Sequence, residues 1–449
     1  MKRYAGVPAA AWAGVAVVLI AVISGCGGGG GSAGRNTDLS SLSFPAKQPA
    51  EYSGELDYWV WGDYEARCTA PFFEKYPGIK INFVRVPGGD FFTKLQTAIA
   101  AKSDMPDIGN LEQTPRRAWF NLNCWDRLDA PPYNMDTSVL VEWSLPLMTN
   151  EKGEIVCAQI DNCIGGITYN RRLARQVLGV SDVDAVEARL QSVDDYIKMS
   201  EMFKGRDLGF YMYAGVNDVW DCFNYLYAEP FVTDDNVLNF EASILPAFEI
   251  IEKLVANNAV GTITNWTPQW STSFAQDYSI FYSGVTWMLY DNIVPNNPPD
   301  AKDRFGLITP PGGGFSQGGT ALAIASVSPP EKKEMAWEFI RWFALSEGGA
   351  QAFLDYNHAP TLYKPFYESN VYKTFSDLLY GGQNTLAKFM EIGQHPNTRV
   401  RPMSRYDQLV SSNINLAVVE LKNGASAGEA LKMVKDAVLA AQPVLKDRT

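Results

Sequence analysis

From Gly54 to Trp61 apolar and polar positions alternate, the pattern of a strand buried on one face, and the run stops in the polar turn Gly62-Asp63-Tyr64-Glu65. Pro71-Phe-Phe-Glu-Lys-Tyr76 predicts a helix ended by Pro77-Gly78, Ile79 to Val86 a second alternating strand, and Phe91 to Lys102 an amphipathic helix. Met105 to Asn110 predicts a short strand running into polar Glu112-Gln113. Strand, helix, strand, helix, strand is a wound α/β order. In such sheets ligands gather beyond the carboxyl ends of the strands. That rule places Asp63, Glu112 and Gln113 at a cleft, with Trp61 beside them.

The middle of the chain turns on Ile155 to Asn170, where two short apolar strands flank a polar, glycine-rich break. Asp161 and Asn162 lie in the break, and Gly165-Gly166 lets the backbone pass close to a neighbour. Two readings stand on these residues: a crossover between two lobes with a cleft at the crossing, or an internal strand pair joined by a turn. Arg171 to Leu178 follows as a basic amphipathic helix, and Asp194 to Phe203 also reads as a helix. Tyr211 to Asp221 predicts a strand-to-helix junction that carries Asn217, Asp218, Trp220 and Asp221. Trp266 and Trp270 sit in a polar loop, and Met288 to Asn292 predicts a strand end that carries Asp291 and Asn292. Gly312 to Gly319 resembles a phosphate cradle, but no P-loop lysine follows; it reads as a permissive loop beside the cleft, with Gly318 next to the ligand. Glu347 to Gln442 reads as mostly helical, with a break at Asn423-Gly424.

The N-terminus changes the picture. Met1-Lys-Arg3 precedes an apolar run from Val7 to Ile23 and then Ser24-Gly25-Cys26, the layout of a secretory signal and shorter than the ~20 residues of a spanning helix. Gly27 to Ser32 is a flexible leash. The whole chain has 449 residues, 46% hydrophobic and 12% aromatic, and the length that remains after the leash suggests two packed domains. A net charge of −12 argues against nucleic acid. The two histidines, His358 and His395, are far apart, which disfavours a His-based metal site or a Ser-His-Asp triad. There is no GxSxG elbow and no CxxC spacing, and no metal or cofactor is expected. Setting Cys26 aside leaves Cys68, Cys124, Cys157, Cys163 and Cys222, an odd number that leaves at least one thiol unpaired and no pairing deducible.

The ordered set of motifs is informative where no single one is. Val22-Ile-Ser-Gly-Cys26 resembles the lipobox of bacterial lipoproteins, in which the cysteine is lipidated. Phe73 to Ile81, Phe92 to Leu95 and Met105 to Ile108 resemble the first lobe of family 1 extracellular solute-binding proteins, the sugar-binding lipoproteins of ABC importers. Tyr169 to Leu173, Leu178 to Val180, Phe281 to Met288, Asp303 to Gly312, Gly318 to Ile324, Lys333 to Ile340 and His358 to Thr361 continue the likeness in order. Many relatives carry a tryptophan a few residues after the methionine, where this chain has Ile293-Val294. The resemblance implies an α/β, two-lobed fold of the periplasmic-binding-protein type II kind, with a ligand cleft between the lobes and a C-terminal helical subdomain. The expected division is a signal peptide over 1–25, a lipidated Cys26 and linker to 53, a first lobe of 54–159 and 300–345, and a second lobe of 160–299 and 346–449.

The function so implied is a membrane-tethered, extracytoplasmic monomer that clamps a mono- or oligosaccharide and delivers it to an ABC permease, with no catalysis. A pyranose offers an apolar face and a rim of hydroxyls, which suits the rings of Trp61, Trp220 and Trp270 and polar groups such as Asp63, Asp161, Asp221 and Asp291. Two other readings stay open. One is a binder of a polyamine, phosphate ester or peptide. The other is a glycoside hydrolase pairing Asp63 with Glu112, or Asp221 with Asp291, at the ~5–9 Å such chemistry needs.

Overall fold

The computed structural model describes residues 44, 47–60, 62, 64–86, 88–101, 104–120 and 122–448. Cys26, Trp61 and Asp63 lie outside the described residues. The chain opens as β1 (Gly54–Val60), α1 (Tyr64–Arg67), α2 (Ala70–Lys75), β2 (Ile79–Arg85), α3 (Gly88–Ala101), β3 (Ile108–Glu112) and α4 (Gln113–Phe120). β1 lies parallel between β2 and β3, and its second half departs from alternation: Tyr58, Trp59 and Val60 are all buried, as in a strand covered on both faces. The third strand runs two residues further than its apolar pattern, so Glu112 ends β3 and Gln113 opens α4.

The strand pair around Asp161 is a crossover. β4 (Ala158–Gln159) belongs to the first sheet, of order β2-β1-β3-β10-β4 with β10 the strand Thr320–Ile324, whereas β5 (Ile164–Asn170) is central in a second sheet. There follow α5 (Arg171–Leu178), α6 (Val183–Arg189), α7 (Val193–Ser200), β6 (Tyr211–Tyr213), α8 (Val216–Phe223), α9 (Phe240–Ser243), α10 (Leu245–Ala256), α11 (Pro268–Ser273) and β7 (Ser279–Val285). Sequence decides these helices locally. Asn170 accepts from the Leu173 amide at 3.1 Å and Gly179 closes α5 at φ +73°, while Ser192 and Asp195 form a reciprocal cap on α7.

Met288 to Ile293, expected as a strand end, is a π-helical turn instead; the strand β7 stops at Val285. The return also differs from expectation. β8 (Phe305–Ile308) pairs antiparallel with β5, and so does β9 (Phe315–Ser316). Residues 300–316 therefore stay with the second sheet, and the chain re-enters the first only at β10 (Thr320–Ile324), which lies antiparallel between β3 and β4. Gly165 permits this arrangement, because a Cβ there would stand 2.3 Å from the Phe315 ring.

The last part comprises α12 (Pro330–Leu345), α13 (Glu347–Asn357), α14 (Asn370–Lys373), α15 (Thr385–Gln394), α16 (Asp407–Lys422) and α17 (Ala427–Ala441). α13 packs on α12, α1 and α2, with Phe353 against Phe343, so residues 346–357, expected in the second lobe, cover the first. α16 and α17 pack on α8 and α10 of the second lobe, and α16 also touches α4. Cys68, Cys124, Cys157, Cys163 and Cys222 are all buried. Burial pushes Cys68, Cys124 and Cys157 up to about 12, which makes them inert at neutral pH.

Candidate functional site

The two crossings lie side by side and are tied to each other. Asp161 Oδ1 accepts from the Thr320 amide at 2.9 Å, the Gln317 amide donates to the Cys163 carbonyl at 3.0 Å, and the Asn162 amide donates to the Pro360 carbonyl at 3.0 Å. Arg116 of α4, fully buried, donates to the Leu111, Leu147 and Gly319 carbonyls and to Gln159 Oε1 at 2.7–3.1 Å. Gly318 and Gly319 have φ of +74° and +112°; a Cβ on Gly319 would stand 3.0 Å from Gln159 Nε2 and 3.2 Å from Asp161 Oδ1. Asp161 is thus engaged in holding the crossing, and burial raises its pKa.

On the second-lobe side, α8 carries Asn217, Asp218, Trp220 and Asp221. Asp218, fully buried, accepts from the Gly215 amide at 3.1 Å and from Trp270 Nε1 at 3.2 Å. Trp270, expected to meet ligand, is therefore a core residue: its ring has no exposure and packs edge-on against Phe274. The accessible ring is Trp266, 51% exposed, tilted over Trp270 and stacked at 5.6 Å on Trp287. Trp287 Nε1 donates to the Gln317 carbonyl at 3.0 Å, and Gln317 Nε2 donates to Asp221 Oδ1 at 2.9 Å. Burial pushes both Asp218 and Asp221 up to about 7, and for Asp221 the Asp218 charge adds to it. Asn217 is half-buried on α8.

The first lobe contributes Glu112 and Gln113. Glu112 accepts from the Thr114 amide at 2.9 Å, and burial raises its pKa. Asp291 and Asn292 fall on the π-helical turn; Asp291 stands 3.8 Å from Arg67 of α1, an ion pair between the two lobes.

A cavity of about 70 Å³ lies where the lobes meet. Gln113 and Thr114 of α4 line it from the first lobe, Trp220 and Tyr225 from the second, and Gly318 from the return crossing. The C-terminal stretch Arg401 to Ser411 completes it. Arg401 and Asp407 carried no sequence signal: Arg401 stands in the segment before α16 and Asp407 opens that helix, and only the fold brings them to the crossing. Of the residues read from sequence, Gln113, Trp220 and Gly318 come together here, and Asp221 joins them through Gln317. Three lining residues hold a buried polar atom without a partner, namely Gln113 Oε1, Arg401 Nε and Asp407 Oδ1. Unpaired buried polar atoms cost about 1–3 kcal/mol each and are kept where a ligand meets them.

Residues 68–373 match the family model of bacterial extracellular solute-binding proteins. The comparison with curated proteins found no match. Among solved structures, an extracellular solute-binding protein of family 1 is 17% identical with a TM-score of 0.76, over 86% of this chain and 99% of the other. The binding protein from B. animalis subsp. lactis Bl-04, solved with β-1,6-galactobiose, is 17% identical with a TM-score of 0.70, over 88% and 100%. The GacH receptor of Streptomyces glaucescens, solved also with acarbose, is 18% identical with a TM-score of 0.67, again over 88% and 100%. These likenesses show the two-lobed periplasmic-binding-protein fold. With the family model spanning more than half of its length, the chain belongs to the bacterial extracellular solute-binding proteins.

Proposed function

We propose that this protein captures a carbohydrate in the groove between its lobes, closes on it, and passes it unaltered to an ABC transporter permease. The observation that carries the reading is the cavity at the crossings, lined from both lobes and left with unpaired polar atoms beside the Trp220 and Tyr225 rings. At about 70 Å³ it is well below the ~300–1,000 Å³ of a site that encloses a small ligand. The lobes therefore open to admit a sugar and close around part of it, which shifts the equilibrium toward the closed form. Solved relatives of the same fold were crystallised with β-1,6-galactobiose and with acarbose, which favours a sugar over a polyamine or peptide. Asp221 is held by Gln317 and Asp291 faces Arg67, an arrangement that suits binding better than a carboxylate pair poised for hydrolysis.

A thermal-shift screen against mono- and oligosaccharides tests this. A true ligand at a hundred times its dissociation constant adds about 2.7 kcal/mol to the stability of the closed form, and solution scattering should show compaction with the same compound. A shift with amines or anions alone, and none with any sugar, would reject it.

We further propose anchoring through a lipidated Cys26, which makes the protein an extracytoplasmic monomer on a leash. In a bacterial host, Cys26→Ala should release the protein from the membrane fraction, because one residue carries the acyl chains that hold it. Retention of the alanine variant in that fraction would remove the anchor from the account.

A further inference from the structure

The cavity at the crossings is lined by Arg401, a buried cation with no carboxylate in ion-pair contact among the described residues. Arg401 is 5% exposed; its Nη1 donates to the Glu229 carbonyl at 2.5 Å and its Nη2 to the Asn224 carbonyl at 2.9 Å. Its guanidinium lies 4.1 Å from the Phe231 ring centroid, and its Nε is unpartnered. Carbonyls and a ring face solvate the charge without cancelling it, and a buried charge calls for a counter-ion. Asp407, 6% exposed, does not supply one. Its Oδ2 accepts from the Ser404 amide at 2.9 Å, and its Oδ1 has no partner. A cavity of this size is about half the ~150 Å³ that accepts a benzene ring, so it takes a substituent of a sugar and leaves the ring outside.

We infer that the carbohydrate is an acidic one, a uronic acid or its oligomer, whose carboxylate enters this cavity and meets Arg401 Nε and the Asp407 side chain. This rests on the carbohydrate reading above and narrows it. Arg401 Nε and Asp407 Oδ1, both without partners on residues that line the cavity, give a carboxylate its two donors, and Gln113 Oε1 accepts from a neighbouring hydroxyl. The groups that set the charge there are Arg401, Arg117 of α4, Tyr225, and the carboxylates of Glu229, Glu112 and Asp221. Burial pushes Asp407 up to about 7 in spite of Arg401 and Arg117. The acid form is the one that donates, so uronate binding is strong below pH 7 and weakens above it.

Calorimetric titration of the full mature chain with galacturonate, glucuronate and their disaccharides, beside galactose, glucose, galactobiose and maltose, tests the inference at pH 6 and pH 8. The uronates should bind about 10- to 100-fold more tightly than their neutral counterparts at pH 6, and should lose up to about tenfold per pH unit above 7. Arg401→Gln should abolish the preference, and Asp407→Asn, whose amide donates at every pH, should flatten the pH dependence. If Arg401→Gln does not fold, the wild-type ranking decides. Neutral sugars bound in preference to uronates at pH 6 would overturn the inference while leaving the carbohydrate reading intact. Binding of neither class would overturn both.

Discussion

Replacing Arg116 with alanine is expected to lower the unfolding free energy by about 3–5 kcal/mol, read as a fall in the denaturant midpoint with the slope unchanged. The side chain satisfies three backbone carbonyls and Gln159 Oε1 in a place where no water reaches. Truncation orphans these acceptors and opens a void between α4 and the two crossings. Arg116→Lys should recover only part of the loss, because an ammonium has three donors and no fork to span Leu111, Leu147 and Gly319 together. A midpoint unchanged in the alanine variant would mean that the crossings are held by the strands alone. Ligand affinity should fall with the same substitution, since Gly318 and Gln113 are positioned from the segments that Arg116 joins.

Stability is expected to rise as pH is lowered from 8 toward 5, the reverse of ordinary acid denaturation. Asp218, Asp221 and Asp407 release their protons near pH 7 in the fold and near pH 4 when unfolded. Between those values the native state holds more protons than the unfolded one, so the unfolding free energy decreases as pH increases. The window corresponds to about 2–4 kcal/mol for a fully buried group such as Asp218, and less for half-buried Asp221. Asp136, Asp195 and Glu429, at or near the surface, act in the opposite sense. Hydrogen bonds from Ser138, Ser192 and Ser426 hold their pKa values down, and what they contribute is lost only as pH falls through those lowered values. The melting temperature at pH 5 should therefore exceed that at pH 8 by about 5–10 °C. Asp218→Asn, which keeps an acceptor for Trp270 Nε1, should shrink the difference. A melting temperature that is flat or falls between pH 8 and 5 would show that these carboxylates are ionised in the native protein.

Period-two and helical patterning, with caps such as Asn170 and Ser192, determined the elements of the first lobe and the start of the second, because both signals act within one turn or strand. The family likeness rests on the same local runs, read in order. Three things were decided only in three dimensions. Asp161 lies in a crossing and not in a turn because β4 and β5 pair with different partners, a choice set by strands more than a hundred residues away. Of Trp270 and Trp266, four residues apart in a polar stretch, it is Trp270, expected to meet ligand, that turns into the core, because Asp218 offers its ring a buried acceptor. Arg401 and Asp407 reach the cavity because α16 meets α4 across the lobes. Local sequence sets backbone preference and which face of an element is apolar. Which polar group finds itself buried without a partner depends on distant chain segments, which bring Gln113, Arg401 and Asp407 to one cavity.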